Sequence, residues 1–289
     1  MANPSKAVPE NVPGDYFVDS TCIDCDACRQ IAPATFGEAA ASSFVKVQPA
    51  TPPQRTLALH ALLSCPTGSI GTRGADQPKQ AYGDFPLPVE GSVYYCGFNS
   101  QRSYGGNSYF VRRPEGNWLI DSPRFSRPLV TRLESLGGVH SIFLTHRDDV
   151  ADAAAYARHF RAQRVIHREE LASQPDAEVV LDGEGPWDLA DGIQAIATPG
   201  HTRGHCVLLV DDRYLFTGDH LAWDRNEGHL EAFRDYCWHS WPQQIESLDR
   251  LTRYSFDWVL PGHGQRVHLP ADRMRDELRR LVAGASLSS

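Results

Sequence analysis

Cysteines at 22, 25 and 28 form a C-x2-C-x2-C run, and a fourth, Cys65, stands before proline in LLSCPTGSI. Thiolates two residues apart can wrap one inorganic cubane: the short segments between them turn amides toward the sulfurs, and a remote thiolate closes the shell. Structural zinc on four cysteines and unligated buried thiols are the competing readings. Zinc sites usually pair two short Cys-x-Cys knuckles, so three cysteines in one run followed by Cys-Pro favour the cluster. Cys96, Cys206 and Cys237 read as small buried hydrophobes. Seven cysteines, an odd number unevenly spaced, do not make a disulfide framework.

A second set mixes imidazoles and carboxylates. His146 lies in FLTHRDDVADA, His201 and His205 in TPGHTRGH, Asp219 and His220 in LFTGDHLAW, and His263 in LPGHG. Each closes a predicted strand, where loops converge and a site is normally assembled. Nitrogen and oxygen donors of this kind suit divalent metals. The acidic stretch after His146 has two readings. Asp148, Asp149 and Asp152 can supply ligands, or they can cap the amides of the following helix, an effect of about 0.5–2 kcal/mol.

The elements that must position these residues follow from the pattern. SVYYCGF, SYFVRR, NWLID, HSIFLT, RVIH, EVVLD, IQAIAT, HCVLLV, RYLFTG and DWVLPG read as strands, and PLVTRLESLG, DVADAAAYARHF, WPQQIESLDRL and DRMRDELRRLVAG as helices. DQPKQAYGDFPLPVEGS, residues 76–92, reads as a linker because Pro, Gly and polar residues dominate it. The expected domains are 1–83 and 84–289. Hydrophobic residues make up 41% and charged residues 22%, the composition of a folded chain, and the net charge of −8 leaves no basic footprint for nucleic acid. No run approaches the roughly 18 apolar residues of a membrane span, and the N-terminus has neither a secretory apolar core nor transit-peptide character. No nucleic-acid or membrane partner is expected, and the expected compartment is the cytoplasm.

From DYFVDSTCIDCDAC through SCPTGSI the chain resembles the single-cluster bacterial ferredoxins. That resemblance implies one [4Fe-4S] cluster on Cys22, Cys25, Cys28 and Cys65. Residues 92–280, carrying Asp121, TH at 145–146, TPGHTRGH, FTGDH and PGHG in order, resemble the metallo-β-lactamase superfamily, nearest in style to its hydroxyacylglutathione-hydrolase branch. The implied fold class is α+β, a small ferredoxin-like domain followed by an αββα sandwich with a metal site at one edge of its sheets. Carried over by position, His146 and His201 match ligands of a first metal, Asp219 a bridging carboxylate and His263 a ligand of a second metal. Asp121 matches a carboxylate behind the site, and His205 a position outside the ligand shell.

The first motif departs from the family's H-x-H-x-D-H. Aligned without gaps, Asp148 replaces the second histidine and Val150 the water-orienting aspartate. With a two-residue insertion, Asp152 falls on that aspartate and Ala153 on the missing histidine. The expected metal ligands are therefore His146, Asp148, Asp152, His201, Asp219 and His263, and the expected catalytic carboxylates Asp152 and Asp219. One or two divalent metals, zinc or iron, are implied.

Three functions stay open at this point. The leading one is a metal-dependent hydrolase of a small ester, thioester or amide. Another is an iron-dependent oxidoreductase fed by the cluster from an external electron donor or acceptor, because the lost histidines leave a carboxylate-rich set as in the flavodiiron proteins. The last is a non-enzymatic redox carrier or sensor with an eroded site.

Overall fold

The computed structural model describes residues 2–286. Two compact units emerge: residues 1–140 with 151–160, and residues 141–150 with 161–289. The boundary expected near residue 84 falls inside the first of them.

In the first unit, β1 (Tyr16–Val18) pairs antiparallel with β4 (Ile70–Thr72), and β2 (Phe36–Glu38) with β3 (Ser43–Val45). Between them run the short helix α1 (Ala27–Ile31) and the longer α2 (Pro52–Ser64). Thr51 and Gln54 form a reciprocal capping box at the start of α2, with Pro52 in its first turn. The helix stops at Ser64, and Cys65, the residue before Pro66, leaves it in extended geometry. Strands β5 (Leu87–Glu90), β6 (Val93–Tyr95), β7 (Tyr109–Val111) and β8 (Trp118–Ile120) form an antiparallel ladder. Helices α3 (Arg127–Ser135) and α4 (Ala153–Phe160) complete the unit.

Two expectations change here. The Pro-rich stretch 76–92 is built into the fold: it holds a 3-10 turn at Pro78–Asp84 and strand β5, with Phe85 fully buried between them. Phe85 meets His60 of α2 and Phe98 edge-on at 5.3 and 5.0 Å, which is the apolar burial that composition hid. The helix expected from residue 149 begins at 153 instead. Arg147–Asp149 form a 3-10 turn, and Ala151 takes a positive φ of 30° before α4 starts.

In the second unit β9 (Ser141–Phe143), β10 (Gln163–His167) and β11 (Val179–Leu181) run parallel. A six-stranded sheet orders β12 (Trp187–Ala190), β13 (Ile193–Ala197), β14 (Cys206–Val210), β15 (Tyr214–Gly218), β18 (Trp258–Pro261) and β19 (Val267–His268). The hairpin β16 (Ala222–Asp224) and β17 (His229–Glu231) stands beside it. Helices α5 (Trp241–Leu251) and α6 (Ala271–Ser286) bury Leu248, Leu251, Met274 and Leu278 against Val207, Leu209, Leu215 and Val259. Residues one apart on β14 reach opposite faces, so Cys206, Val207, Leu208, Leu209 and Val210 are all buried. Among the described residues no helix is long and apolar enough to cross a membrane.

Candidate metal centres

Cys22, Cys25, Cys28 and Cys65 line one pocket together with Ser43 and Ser69. Asp24 and Asp26, at φ of 57° and 63°, are the left-handed residues that fold the run into a cradle. The amides of Ser43 and Ser69 donate to the sulfurs of Cys22 and Cys65 at 3.5 and 3.3 Å. Burial pushes the Cys25 thiol up to about 12 and the Cys28 thiol up as well. Four converging sulfurs, two of them accepting amides, in a setting that disfavours free thiolates, fit a cationic iron core. Arg29 ties down the acidic neighbours, reaching Asp24 at 2.5 Å and Asp26 at 2.7 Å. On the far side Gly105, at φ 90°, lies against Cys25; a Cβ there would stand 2.6 Å from the Cys25 Cβ and 2.9 Å from its Sγ.

The histidines and aspartates meet in the second unit. Asp219, just past β15, is the hub: its Oδ2 lies 3.5 Å from His146 Nε2, 3.6 Å from His201 Nε2 and 3.9 Å from His263 Nε2. Asp148 Oδ2 stands 3.8 Å from His146 Nε2 and 3.6 Å from His201 Nε2. These gaps are too long for hydrogen bonds. They come close to the spacing of donor atoms around one ion, since ligands about 2.0–2.2 Å from a shared metal stand about 3.3–3.6 Å apart in a tetrahedron. Both ring nitrogens of His201 and Oδ1 of Asp219 are buried without a hydrogen-bond partner among the described residues, as donors awaiting a cation would be. The set fits a divalent metal.

Two groups of donors result. His146, Asp148 and His201 form one, and His146, Asp149 and Asp219 another, with His263 4.0 Å from Asp149. Asp149 is the aspartate that the sequence left open between ligand and cap, outside the expected ligand set of His146, Asp148, Asp152, His201, Asp219 and His263. It is buried, and its Oδ2 and Asp219 Oδ1 crowd over Gly262, where a Cβ would come within 2.5 and 2.8 Å of them. The glycine of PGHG is what lets two carboxylates approach there. Asp152 is not brought to either group. Its carboxylate accepts from Arg102 at 3.0 Å and from the Phe125 amide at 2.8 Å, because the late start of α4 turns it to other partners. The capping reading of the aspartates also shifts, since Asp148 and Asp149 sit on the 3-10 turn ahead of the helix. Asp121 belongs to the first unit, buried at the end of β8 with φ 54°.

Electrostatics and support follow from the same contacts. Burial pushes the Asp219 carboxyl up, but His263, His146 and His201 together outweigh it and hold the group well below the usual range. Contact with His201 holds Asp148 low as well, against its partial burial. Thr145 Oγ1 meets His146 Nδ1 at 2.9 Å, which aims the other ring nitrogen at the aspartates. His205, fully buried, is held by Thr198 Oγ1 at 2.9 Å, and burial keeps it neutral. It faces Gly218, whose Cβ would lie 2.8 Å from its Nε2, and stacks on His220 at 5.2 Å. His220 is driven down to about 3 by burial and by His201.

Sequence reasoning also missed Glu170. This buried carboxylate accepts from the Gly204 amide at 2.7 Å and the Arg147 amide at 3.2 Å, so it joins the loop of His201 to the turn of Asp148. No spacing signal marks it, because it lies on neither motif.

Comparison with known proteins identifies the families of the two parts of the chain. A family described as the 4Fe-4S single cluster domain of ferredoxin I matches residues 18–72, and the family described as the metallo-beta-lactamase superfamily matches residues 91–283. A lactamase-like protein of Pestalotiopsis microspora is 27% identical over 194 residues, which is 63% of this chain. The chain spans only 57% of that relative's length. Among solved structures, the DIM-1 metallo-beta-lactamase superposes with a TM-score of 0.51 at 19% identity, over 70% of this chain and 96% of that one. A metallo-beta-lactamase family protein of Thermus thermophilus gives 0.50 at 19% identity, over 68% and 80%. At such identities the likeness is one of fold. With a family match over more than half its length, an αββα-type fold and donors converging on Asp219, the chain belongs to the metallo-β-lactamase superfamily and carries a ferredoxin-like single-cluster domain at its N-terminal end.

Proposed function

We propose that the chain is a metal-dependent hydrolase of a small ester, thioester or amide, with one [4Fe-4S] cluster on its four N-terminal cysteines. The observation that carries this is the convergence of three imidazoles from three loops on one carboxylate oxygen of Asp219. When bound, a divalent metal would polarise a carbonyl and make water nucleophilic near neutral pH. His146, His201 and Asp148 would hold one ion, and Asp149 and His263 a second, with Asp219 shared. Asp148 is the open side of this arrangement: its side chain is 44% exposed and, held low by His201, is ionised at neutral pH. An oxygen of its carboxylate not used on the ion can accept a hydrogen bond from a water at that open side and orient it. The partner in this reading is a small molecule, and the net charge of −8 gives no overall attraction for nucleic acid. Seven cysteines, with no disulfide among the described residues, suit a reducing compartment such as the cytoplasm.

The test is metal analysis joined to hydrolysis of an ester and thioester panel. Purified protein is expected to carry zinc or iron beyond the cluster, and His201→Ala/His263→Ala to lose that metal and the hydrolysis together. Hydrolysis that survives the double variant overturns the reading. One observation favours a second reading, an iron oxidoreductase: three aspartates accompany three histidines, a carboxylate-rich donor set. It requires an external electron donor or acceptor. Iron at Asp219, with substrate-dependent reoxidation of the reduced protein, would select it.

A further inference from the structure

Between β17 and α5 runs the segment FRDYCWHS, residues 233–240. Three of its rings form a continuous row. Phe233 meets Tyr236 edge-on at 6.4 Å, Tyr236 meets Trp238 edge-on at 6.1 Å, and Trp238 stands 6.2 Å from the ring of His201. At the other end, Phe233 approaches Gly264, where a Cβ would lie 3.2 Å from its ring. Gly264 directly follows His263. The row therefore spans from the loop of one metal-site histidine to the ring of another.

The segment is bolted to the loop of His201. The amides of Trp238 and His239 donate to the His201 carbonyl at 2.9 and 3.1 Å, the Ser240 amide donates to the Gly200 carbonyl at 2.9 Å, and the Cys237 thiol donates to that carbonyl at 3.1 Å. Despite this anchoring, Tyr236 and Trp238 leave 61% and 57% of their surface exposed, far more than a packing role requires. The Arg234 guanidinium is turned over Trp241, at 5.8 Å, and so occupies a ring outside the row. Exposed apolar surface that adjoins a polar site marks a binding position.

We infer that Tyr236 and Trp238, backed by Phe233, form an aromatic subsite that takes an aryl group of the substrate while its acyl bond lies at the metal centre. The inference rests on the hydrolase reading for the acyl bond, and on the ring row alone for the aryl group. An aryl ring is favoured over an alkyl chain because both exposed rings offer faces and edges, and a ring pair adds about two- to tenfold in affinity beyond burial of area.

Calorimetric titration of the metal-loaded full chain with phenylacetate and with hexanoate tests it without turnover. Phenylacetate is expected to bind about tenfold more tightly, and Tyr236→Ala or Trp238→Ala each to weaken it about two- to tenfold while hexanoate changes less. Tyr236→Leu and Trp238→Leu keep apolar area and are expected to lose the aryl preference as well, which guards against a variant that merely folds poorly. Equal affinities, no binding of either anion, or an aryl preference that survives Tyr236→Ala/Trp238→Ala overturns the inference. Aryl binding intact in a protein that hydrolyses no ester would instead overturn the hydrolase reading and leave the subsite standing.

Discussion

The cysteine pocket and the histidine-aspartate centre are built on opposite plans. Three of the four sulfurs come from seven consecutive residues, and one helix, α2, delivers the fourth. The other centre draws on four separate loops, and its hub Asp219 means nothing until β9, β15, β18 and the loop after β13 are in place. The cysteine run is local in sequence and leans on one distant close approach, Gly105 against Cys25; the dispersed centre leans on several residues outside its donor set, such as Glu170 and Gly262.

The largest expected effect breaks the contiguous site alone. Cys28→Ser should abolish the iron-sulfur absorbance and labile sulfide while leaving metal at Asp219; loss of both metals together would deny that the centres are independent. In the dispersed site, Asp149→Asn should lower metal occupancy by more than the 10- to 100-fold typical of a supporting contact, whereas Asp152→Asn should leave it unchanged. Elemental analysis separates them, and the reverse order would restore Asp152 as the ligand. Glu170→Gln should weaken metal binding roughly 10- to 100-fold and shift the visible bands of the cobalt-substituted protein, because one of the two oxygens that accept the loop amides becomes an NH2 donor facing an N–H. Unchanged bands at saturating cobalt would reduce Glu170 to a structural residue.

Gly105→Val should destabilise the cluster pocket by about 1–3 kcal/mol through crowding of Cys25, read as faster bleaching in air. The smallest effect lies outside both centres. Arg164 holds the Glu178 carboxyl down to about 2 from an ordinary 4.5. A carboxyl lowered by folding stabilises fully above 4.5 and loses that contribution as pH falls toward 2. The pair is partly exposed, so Glu178→Gln should cost about 0.2–1 kcal/mol at neutral pH and flatten the melting curve's pH dependence between those limits.

Much of this was legible in the chain. Strand-ending motifs placed His146, His201, Asp219 and His263 on loops, and the structure brings all four together with Asp148. The segment 147–153 was not legible, because acidic residues before alanines satisfy a helix start and a ligand loop equally well. Backbone geometry chose between them: the 3-10 turn and the positive φ at Ala151 delay α4, so Asp149 turns inward and Asp152 goes to Arg102. The linker reading of 76–92 failed for a related reason. Composition cannot show that Phe85 finds a buried place between His60 and Phe98.

By itself the sequence determined which donor types exist, their order, and a cysteine run whose spacing favours a cluster over paired zinc knuckles. Those are short-range properties, set by covalent spacing and by where strands must end. Only the tertiary structure decided that Asp149 rather than Asp152 lies beside Asp219, that Glu170 ties the loop of His201 to the turn of Asp148, and that a row of rings stands beside His201. These depend on contacts between residues far apart in the chain, where a shift of one helical start redirects a carboxylate to a different partner.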